Sequence, residues 1–135
     1  MGIGDSCIAG LKEMGFNVEV YSDVIADPPE ARIIEAIEFA KANNISGVVG
    51  FGGGSSMDVA KVVAFLGQRD CKQSIQDIYG VGMCNGSRMP LIQVPTTAGT
   101  GSEVTPISIV TTGESEKKGI VSLCYTQIGL CSTGN

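Results

Sequence analysis

Residues 45–66 read ISGVVGFGGGSSMDVAKVVAFL, and this stretch indicates the architecture of the chain. Its first part, residues 45–51, is a short apolar run rich in β-branched side chains, which predicts a buried strand. A glycine loop, residues 52–55, follows directly, and Ser55 or Ser56 is a suitable N-cap for the helix after it. The apolar residues of this helix recur at helical spacing and predict a buried stripe of Val59, Val62, Val63 and Leu66.

A glycine-rich connection between a strand and a helix is an arrangement that binds phosphate. Without β-carbons an anion can approach the backbone, and the N–H groups and dipole at the helix start favour negative charge. Here Gly53 and Gly54 would approach a pyrophosphate, and the Ser55 hydroxyl could donate a hydrogen bond. The order matches neither G-x-x-x-x-G-K-[ST] nor G-x-G-x-x-G, and glycines also serve tight turns. Both interpretations stay open for this loop alone.

Two charged residues, Asp58 and Lys61, lie in the first turns of the same helix. The simplest interpretation is that Asp58 complements the helix dipole and that Lys61 is a surface charge. The pattern favours this interpretation for Lys61. It favours it less for Asp58, which could instead lie beside a bound cofactor.

A second loop follows the apolar run at residues 91–94, which predicts another buried strand. After Pro95, residues 96–102 are small and carry four side-chain hydroxyls. Open α/β sheets bind ligands at the carboxyl ends of their strands, although such hydroxyls also bond their own backbone in polar turns. Two loops of this kind together favour a nucleotide site more than either does separately.

Helices and strands alternate along the rest of the chain, which predicts an α/β fold with a mostly parallel sheet covered on both faces. The other predicted elements are helices at residues 1–14 and from Pro28 to about Asn43, a helical turn at 74–79, a strand at 18–21, and two paired strands at 104–111 and 119–123 around a charged turn at 113–118.

Composition excludes several classes of function. The 135 residues correspond to one domain, and nine basic against 14 acidic residues give a net charge of −5 without a basic cluster, which argues against nucleic acid or an anionic membrane as a partner. Five cysteines without C-x-x-C spacing and the lack of a secretion signal favour a reducing cytoplasm. Because histidine is absent, the chain has no imidazole base and no imidazole metal ligand, and general-base catalysis near neutral pH would need a strongly perturbed Glu, Lys or Cys. We therefore expect no catalytic residue in the chain itself.

Two segments carry a resemblance to a known family. The residues GGGSSMDVAK at 52–61 and PTTAGTGSEVT at 95–105 resemble the two signature segments of the iron-containing alcohol dehydrogenases. The likeness extends from about Cys7 to Ser122. Glycerol dehydrogenase and dehydroquinate synthase share this architecture, but the second segment favours the alcohol dehydrogenase branch.

The resemblance implies a Rossmann-like, dehydroquinate synthase-like N-terminal domain that binds NAD or NADP, followed in the parent protein by a helical domain that holds iron or zinc. It implies hydride transfer between small alcohols and aldehydes or ketones, in a homo-oligomeric parent. By position within the likeness from about Cys7 to Ser122, the residues implied to bind the cofactor are Asp27, Gly52, Gly53, Gly54, Ser55, Asp58, Thr96, Thr97, Thr100, Thr105, Ile107 and Lys118.

The sequence departs from the family pattern in three ways. The first strand of the sheet is missing, the metal-binding helical domain is absent, and the likeness ends after Ser122. We therefore expect an incomplete NAD(P)-binding domain at residues 1–122 and an aberrant, frameshifted tail at 123–135. Such a fragment would be inactive alone, and the alternative is a free-standing nucleotide- or phosphate-binding domain without catalysis.

Overall fold

A computed structural model describes residues 3–22, 28–95, 107–112 and 116–121. In the described part of the chain, no helix is long and apolar enough to cross a membrane. The elements in chain order are α1 (Ile3–Glu13), α2 (Glu30–Ala42), β1 (Val48–Gly52), α3 (Gly54–Leu66), α4 (Ile75–Ile78), β2 (Gly80–Val81), β3 (Leu91–Pro95), β4 (Ile107–Thr112) and β5 (Glu116–Val121).

The described strands form two sheets. Strands β1 and β3 pair in parallel, from Val48 opposite Leu91 to Gly52 opposite Pro95. In the second sheet, β5 lies between β2, which is parallel to it, and β4, which is antiparallel. The α/β fold with parallel strands and the pairing of the last two strands are therefore confirmed. Strand β5 already begins at Glu116, so Lys118 lies within a strand and not in the predicted turn.

Helix α3 lies at the centre of the molecule. It contacts α2 and strands β1, β3 and β4, and every residue from Val59 to Leu66 is buried. The predicted stripe was therefore too narrow. Neighbours on several sides of the helix bury residues that a one-sided pattern assigns to the surface.

Helix α2 forms as the sequence predicts. Pro29 lies just before it with φ −70°, a value that the proline ring itself favours. Ile33 and Ile37 are buried in the core against α3. At the other end the Asn43 Nδ2 donates to the Phe39 carbonyl oxygen at 2.8 Å, so an amide side chain satisfies a carbonyl of the last turn.

Helix α4 is the predicted single turn, and side-chain hydrogen bonds connect this part of the chain to α2. Its start is stabilised by the Ser74 N–H, which donates to Asp77 Oδ2 at 2.8 Å. The Tyr79 hydroxyl donates to Glu30 Oε2 at 2.7 Å, and Gln76 Nε2 donates to Glu30 Oε1 at 2.5 Å. Burial, together with the adjacent Glu30 carboxylate, raises the pKa of Tyr79 above its usual value.

Two predictions about strands were wrong. Residues 18–21 are extended but form no strand, and Val20 is 54% exposed, because a strand requires the backbone of a partner and no described segment pairs with them. Within the described part of the chain, strands β1 and β3 are covered on one face only, and not on both as predicted. Val49 and Ile92 are 38% and 48% exposed, because α3 covers only the opposite face of this pair.

Candidate nucleotide site

The glycine loop is a very tight connection, since β1 ends at Gly52 and α3 begins at Gly54. Gly52 has φ +134°, a conformation that side chains with a β-carbon rarely adopt. Gly53 is the N-cap, which corrects the prediction that Ser55 or Ser56 has this role. Both serines instead lie within the first turn, because the helix begins two residues earlier than a cap at Ser55 requires.

The start of α3 is suited to an anion. The first N–H groups of any helix lack an acceptor within that helix, and no side-chain cap bond is made at Gly53. The first turn also contains no acidic residue that would repel a phosphate. The N–H groups and the dipole of this helix therefore favour negative charge at the glycine loop.

The strands that precede the two predicted loops end side by side. Gly52 pairs with Pro95 at the carboxyl ends of β1 and β3, so the end of β3 lies beside the glycine loop. Carboxyl ends of adjacent parallel strands are where open α/β sheets bind ligands. Gly53, Gly54, Ser55 and Asp58 belong to the same strand–loop–helix unit.

The remaining predicted cofactor residues are only partly described. Ile107 begins β4, and Lys118 lies in β5 opposite Val110, but their side chains are outside the described part. The others, which lie outside the described residues altogether, are Asp27, Thr96, Thr97, Thr100 and Thr105.

Lys61 is a buried charge and not the predicted surface charge. Its side chain is 1% exposed, and its Nζ lies 3.4 Å from Asp58 Oδ1, whose side chain is 22% exposed. A buried ammonium requires a partner, and Asp58 supplies one. The prediction was wrong because it followed the usual preference of lysine for the protein surface. A signal was present in the sequence, since Lys61 lies in an otherwise apolar run and has no polar helix face to occupy.

Gln93 is a second polar residue that the sequence analysis missed. It is 2% exposed, and its Nε2 donates to the Met57 carbonyl oxygen at 2.9 Å. Its Oε1 is buried and has no hydrogen-bond partner among the described residues, which costs about 1–3 kcal/mol for a neutral group. A glutamine inside a predicted buried strand was the available signal.

The described residues do not fit a metal ion. They contain no group of three or more His, Cys, Asp or Glu side chains that could hold one, and the whole sequence contains no histidine. The backbone N–H groups at the start of α3 are suited to an anionic ligand, and the Ser55 side chain lies in the same first turn.

Comparison with known proteins gives consistent matches. The family model for iron-containing alcohol dehydrogenase matches residues 1–128. Long-chain-alcohol dehydrogenase 1 of Geobacillus thermodenitrificans is 38% identical over 113 residues, which are 82% of this chain and 28% of that protein. Among solved structures, an iron-containing alcohol dehydrogenase from Thermotoga maritima has a TM-score of 0.79 and 35% identity, covering 94% of this chain and 34% of that one. A sulfoacetaldehyde reductase from Bifidobacterium kashiwanohense, solved with NAD+, has a TM-score of 0.76 and 32% identity, covering 95% and 35%. The chain thus spans about a third of the length of these relatives.

Proposed function

Because this chain belongs to the iron-containing alcohol dehydrogenase family, we propose that it is the nicotinamide-nucleotide-binding part of an oxidoreductase that interconverts small alcohols with aldehydes or ketones. The observation that carries the proposal is the pairing of Gly52 with Pro95, which starts both loops at one edge of a parallel strand pair. A dinucleotide is long enough to contact two such loops at once.

The proposed roles follow from the chemistry of each group. Gly53, Gly54 and the N-terminus of α3 bind the pyrophosphate, because backbone N–H groups and the helix dipole face it there. Ser55 adds a hydroxyl donor, and Asp58 lies one turn further along the helix. Hydroxyl and side-chain contacts to the rest of the dinucleotide are proposed for Asp27, Thr96, Thr97, Thr100, Thr105, Ile107 and Lys118.

The nicotinamide, when bound, supplies the hydride acceptor or donor. The described residues bind and orient the dinucleotide, and we assign no catalytic residue and no metal ligand among them. We propose accordingly that the 135-residue chain alone does not oxidise alcohols, and that it acts in the reducing environment of the cytoplasm. Detectable alcohol oxidation by the purified chain with NAD+ or NADP+ would contradict the first of these statements.

Binding of NADH to the purified chain, followed by nicotinamide fluorescence, tests the proposed site. Gly53→Asp adds a negative charge at the helix start and should weaken binding by at least about tenfold. Gly10→Asp is the matched control, because it makes the same charge change where an added β-carbon meets nothing within 4 Å. Equal affinities for the two variants, or a wild-type chain that binds neither NADH nor NADPH, would refute the proposal.

The alternative of a phosphate-binding domain without any nicotinamide specificity predicts a different ranking of ligands. A dinucleotide site that uses both loops should bind NADH more tightly than ADP. A site limited to the glycine loop should bind both with similar affinity, since both carry a pyrophosphate. Competition between ADP and NADH separates the two functions.

A further inference from the structure

We propose that Lys61 compensates a negative charge beside the phosphate site. Its buried ammonium neutralises the Asp58 carboxylate, which would otherwise repel an anion bound at the start of α3. The inference rests on the proposed function, because it concerns the same glycine loop. It explains how a helix with a carboxylate in its second turn binds a ligand that carries several negative charges.

Asp58 is the only acidic residue of α3, and it lies near the start of this helix. It follows Gly54, the first helical residue, by four positions, which corresponds to about 6 Å along the helix axis. Side chains of a helix tilt toward its N-terminus, so the carboxylate lies closer to the helix start than the Asp58 Cα atom does. A pyrophosphate bound there would therefore lie within the range of its charge.

Lys61 is the only basic residue of the same helix. Its side chain is 1% exposed, and its Nζ lies 3.4 Å from Asp58 Oδ1. The other residues from Val59 to Leu66 are apolar and buried. Burial of an ammonium group costs free energy that an alkyl side chain of similar size would not cost, so packing alone does not account for a lysine at this position.

The repulsion that Lys61 would offset is large enough to affect binding. Coulomb repulsion between one carboxylate and the two charges of a pyrophosphate about 7 Å away corresponds to about fivefold in affinity with the dielectric constant of water. With Lys61 present, the ion pair has no net charge. The N–H groups and the dipole of α3 then determine the potential at the glycine loop.

The test compares Lys61→Met with the wild-type chain and with Lys72→Met, using NADH binding followed by nicotinamide fluorescence, or NADPH if it binds more tightly. Lys72 is exposed and lies beyond the far end of α3, which ends at Leu66, so the control makes the same charge change away from the glycine loop. At about 50 mM salt, Lys61→Met should lower the affinity about fivefold and Lys72→Met less than about twofold.

Two further measurements separate charge compensation from a role in packing. The double variant Asp58→Asn/Lys61→Met should recover most of the affinity that Lys61→Met loses, because neither charge remains. The deficit of Lys61→Met should also shrink to less than about twofold at about 1 M salt, where charges are screened over about 3 Å. Circular dichroism at the temperature of the titration checks that each variant is folded.

The outcomes separate this inference from the proposed function. If wild type binds the dinucleotide and Lys61→Met binds it equally well, the inference fails and the proposed function stands. The same holds if Lys72→Met loses as much, if the double variant recovers nothing, or if the deficit is independent of salt. If wild type binds neither NADH nor NADPH, both fail. Should Lys61→Met not fold, Lys61→Gln takes its place, and failure of both variants to fold makes Lys61 a structural residue and overturns the proposed role.

Discussion

The two faces of the β1–β3 pair differ sharply in burial. On the face under α3, Leu91 is 7% exposed and Gln93 is 2% exposed, while on the opposite face Val49 and Ile92 are 38% and 48% exposed. Alternate residues of a strand point to opposite faces, so neighbours in the sequence have entirely different environments. Two buried polar side chains, Gln93 and Lys61, lie on the covered side of the strand pair or in the helix that covers it.

This difference means that small changes under α3 should have large effects, whereas larger changes on the opposite face should have small ones. A buried position has no room and no solvent to compensate for an altered side chain. An exposed position has both. Each variant below compares a covered position with a less covered one.

The largest effect is expected for Gly50→Ala. The added methyl group would overlap the Gln93 amide oxygen and lie 2.7 Å from the Ala60 β-carbon, so the helix or the strand must shift. We expect a loss of about 3 kcal/mol in the free energy of unfolding, measured by urea denaturation. The control is Gly10→Ala in helix α1, where an added β-carbon meets nothing within 4 Å. It should instead raise the free energy of unfolding by about 0.5–1 kcal/mol. Similar small effects at both positions would show that α3 is not packed tightly against Gly50.

The next largest effect is expected for Lys61→Met, which leaves Asp58 without its buried partner. Because the Asp58 side chain is 22% exposed, we expect Lys61→Met to lower the free energy of unfolding by about 2 kcal/mol, which is less than the loss for a fully buried ion pair. The matched control is Arg32→Met, which breaks an ion pair of the same i,i+3 spacing at 3.5 Å but with side chains 50% and 56% exposed. Arg32→Met should lower the free energy of unfolding by less than about 0.5 kcal/mol. The double variant Asp58→Asn/Lys61→Met should be more stable than Lys61→Met alone, and an equal or greater loss would argue against the ion pair.

Tyr79 tests an intermediate environment. Tyr79→Phe removes the hydrogen bond to Glu30 and should cost about 1 kcal/mol at pH 7. Because the fold raises the pKa of Tyr79, its stabilising contribution is fully present below pH about 10 and is lost as the pH rises toward the folded-state pKa. Denaturation between pH 7 and 11 should therefore show a smaller decline for Tyr79→Phe than for wild type. Tyr21→Phe is the control at pH 7, since its 3.4 Å bond to the Arg32 carbonyl oxygen is exposed, and it should cost less than about 0.5 kcal/mol.

The smallest effect is expected on the open face of the strand pair. Val49→Thr and Ile92→Thr keep the β-branched shape that strands favour, so each should change the free energy of unfolding by less than about 0.5 kcal/mol. Chemical denaturation of both variants checks this. A loss above about 1.5 kcal/mol would show that this face is covered in solution, for instance by a second copy of the chain.

Much of the local structure could be predicted because its signals are local. The glycine loop, helices α2 and α3, strand β3 and the single turn of α4 all follow from spacing of apolar residues or from residues that favour turns and caps. Residues 18–21 show the limit of this approach. Their alternating pattern is typical of a strand, but a strand also needs a partner, and the pattern carries no information about whether one is present.

The candidate site likewise has one feature that the local sequence predicts and one that it does not. The tight strand-to-helix connection at Gly53 and Gly54 could be predicted, because glycines between an apolar strand and a helix favour such a turn, and nucleotide binding there stays a prediction. The N-cap at Gly53 was missed because Ser55 and Ser56 have the stronger capping preference, and the actual start of a helix depends on how the preceding strand ends.

From its sequence alone, this chain can be assigned to the iron-containing alcohol dehydrogenase family, with an α/β fold and a glycine loop suited to phosphate. Those properties depend on residues that are near one another along the chain. The burial of Lys61, the contact of Gln93 with Met57 and the pairing of Gly52 with Pro95 depend on packing between residues or elements that are distant in sequence. Burial and pairing are properties of neighbours in space, and these neighbours are known only once the helices and strands have packed together.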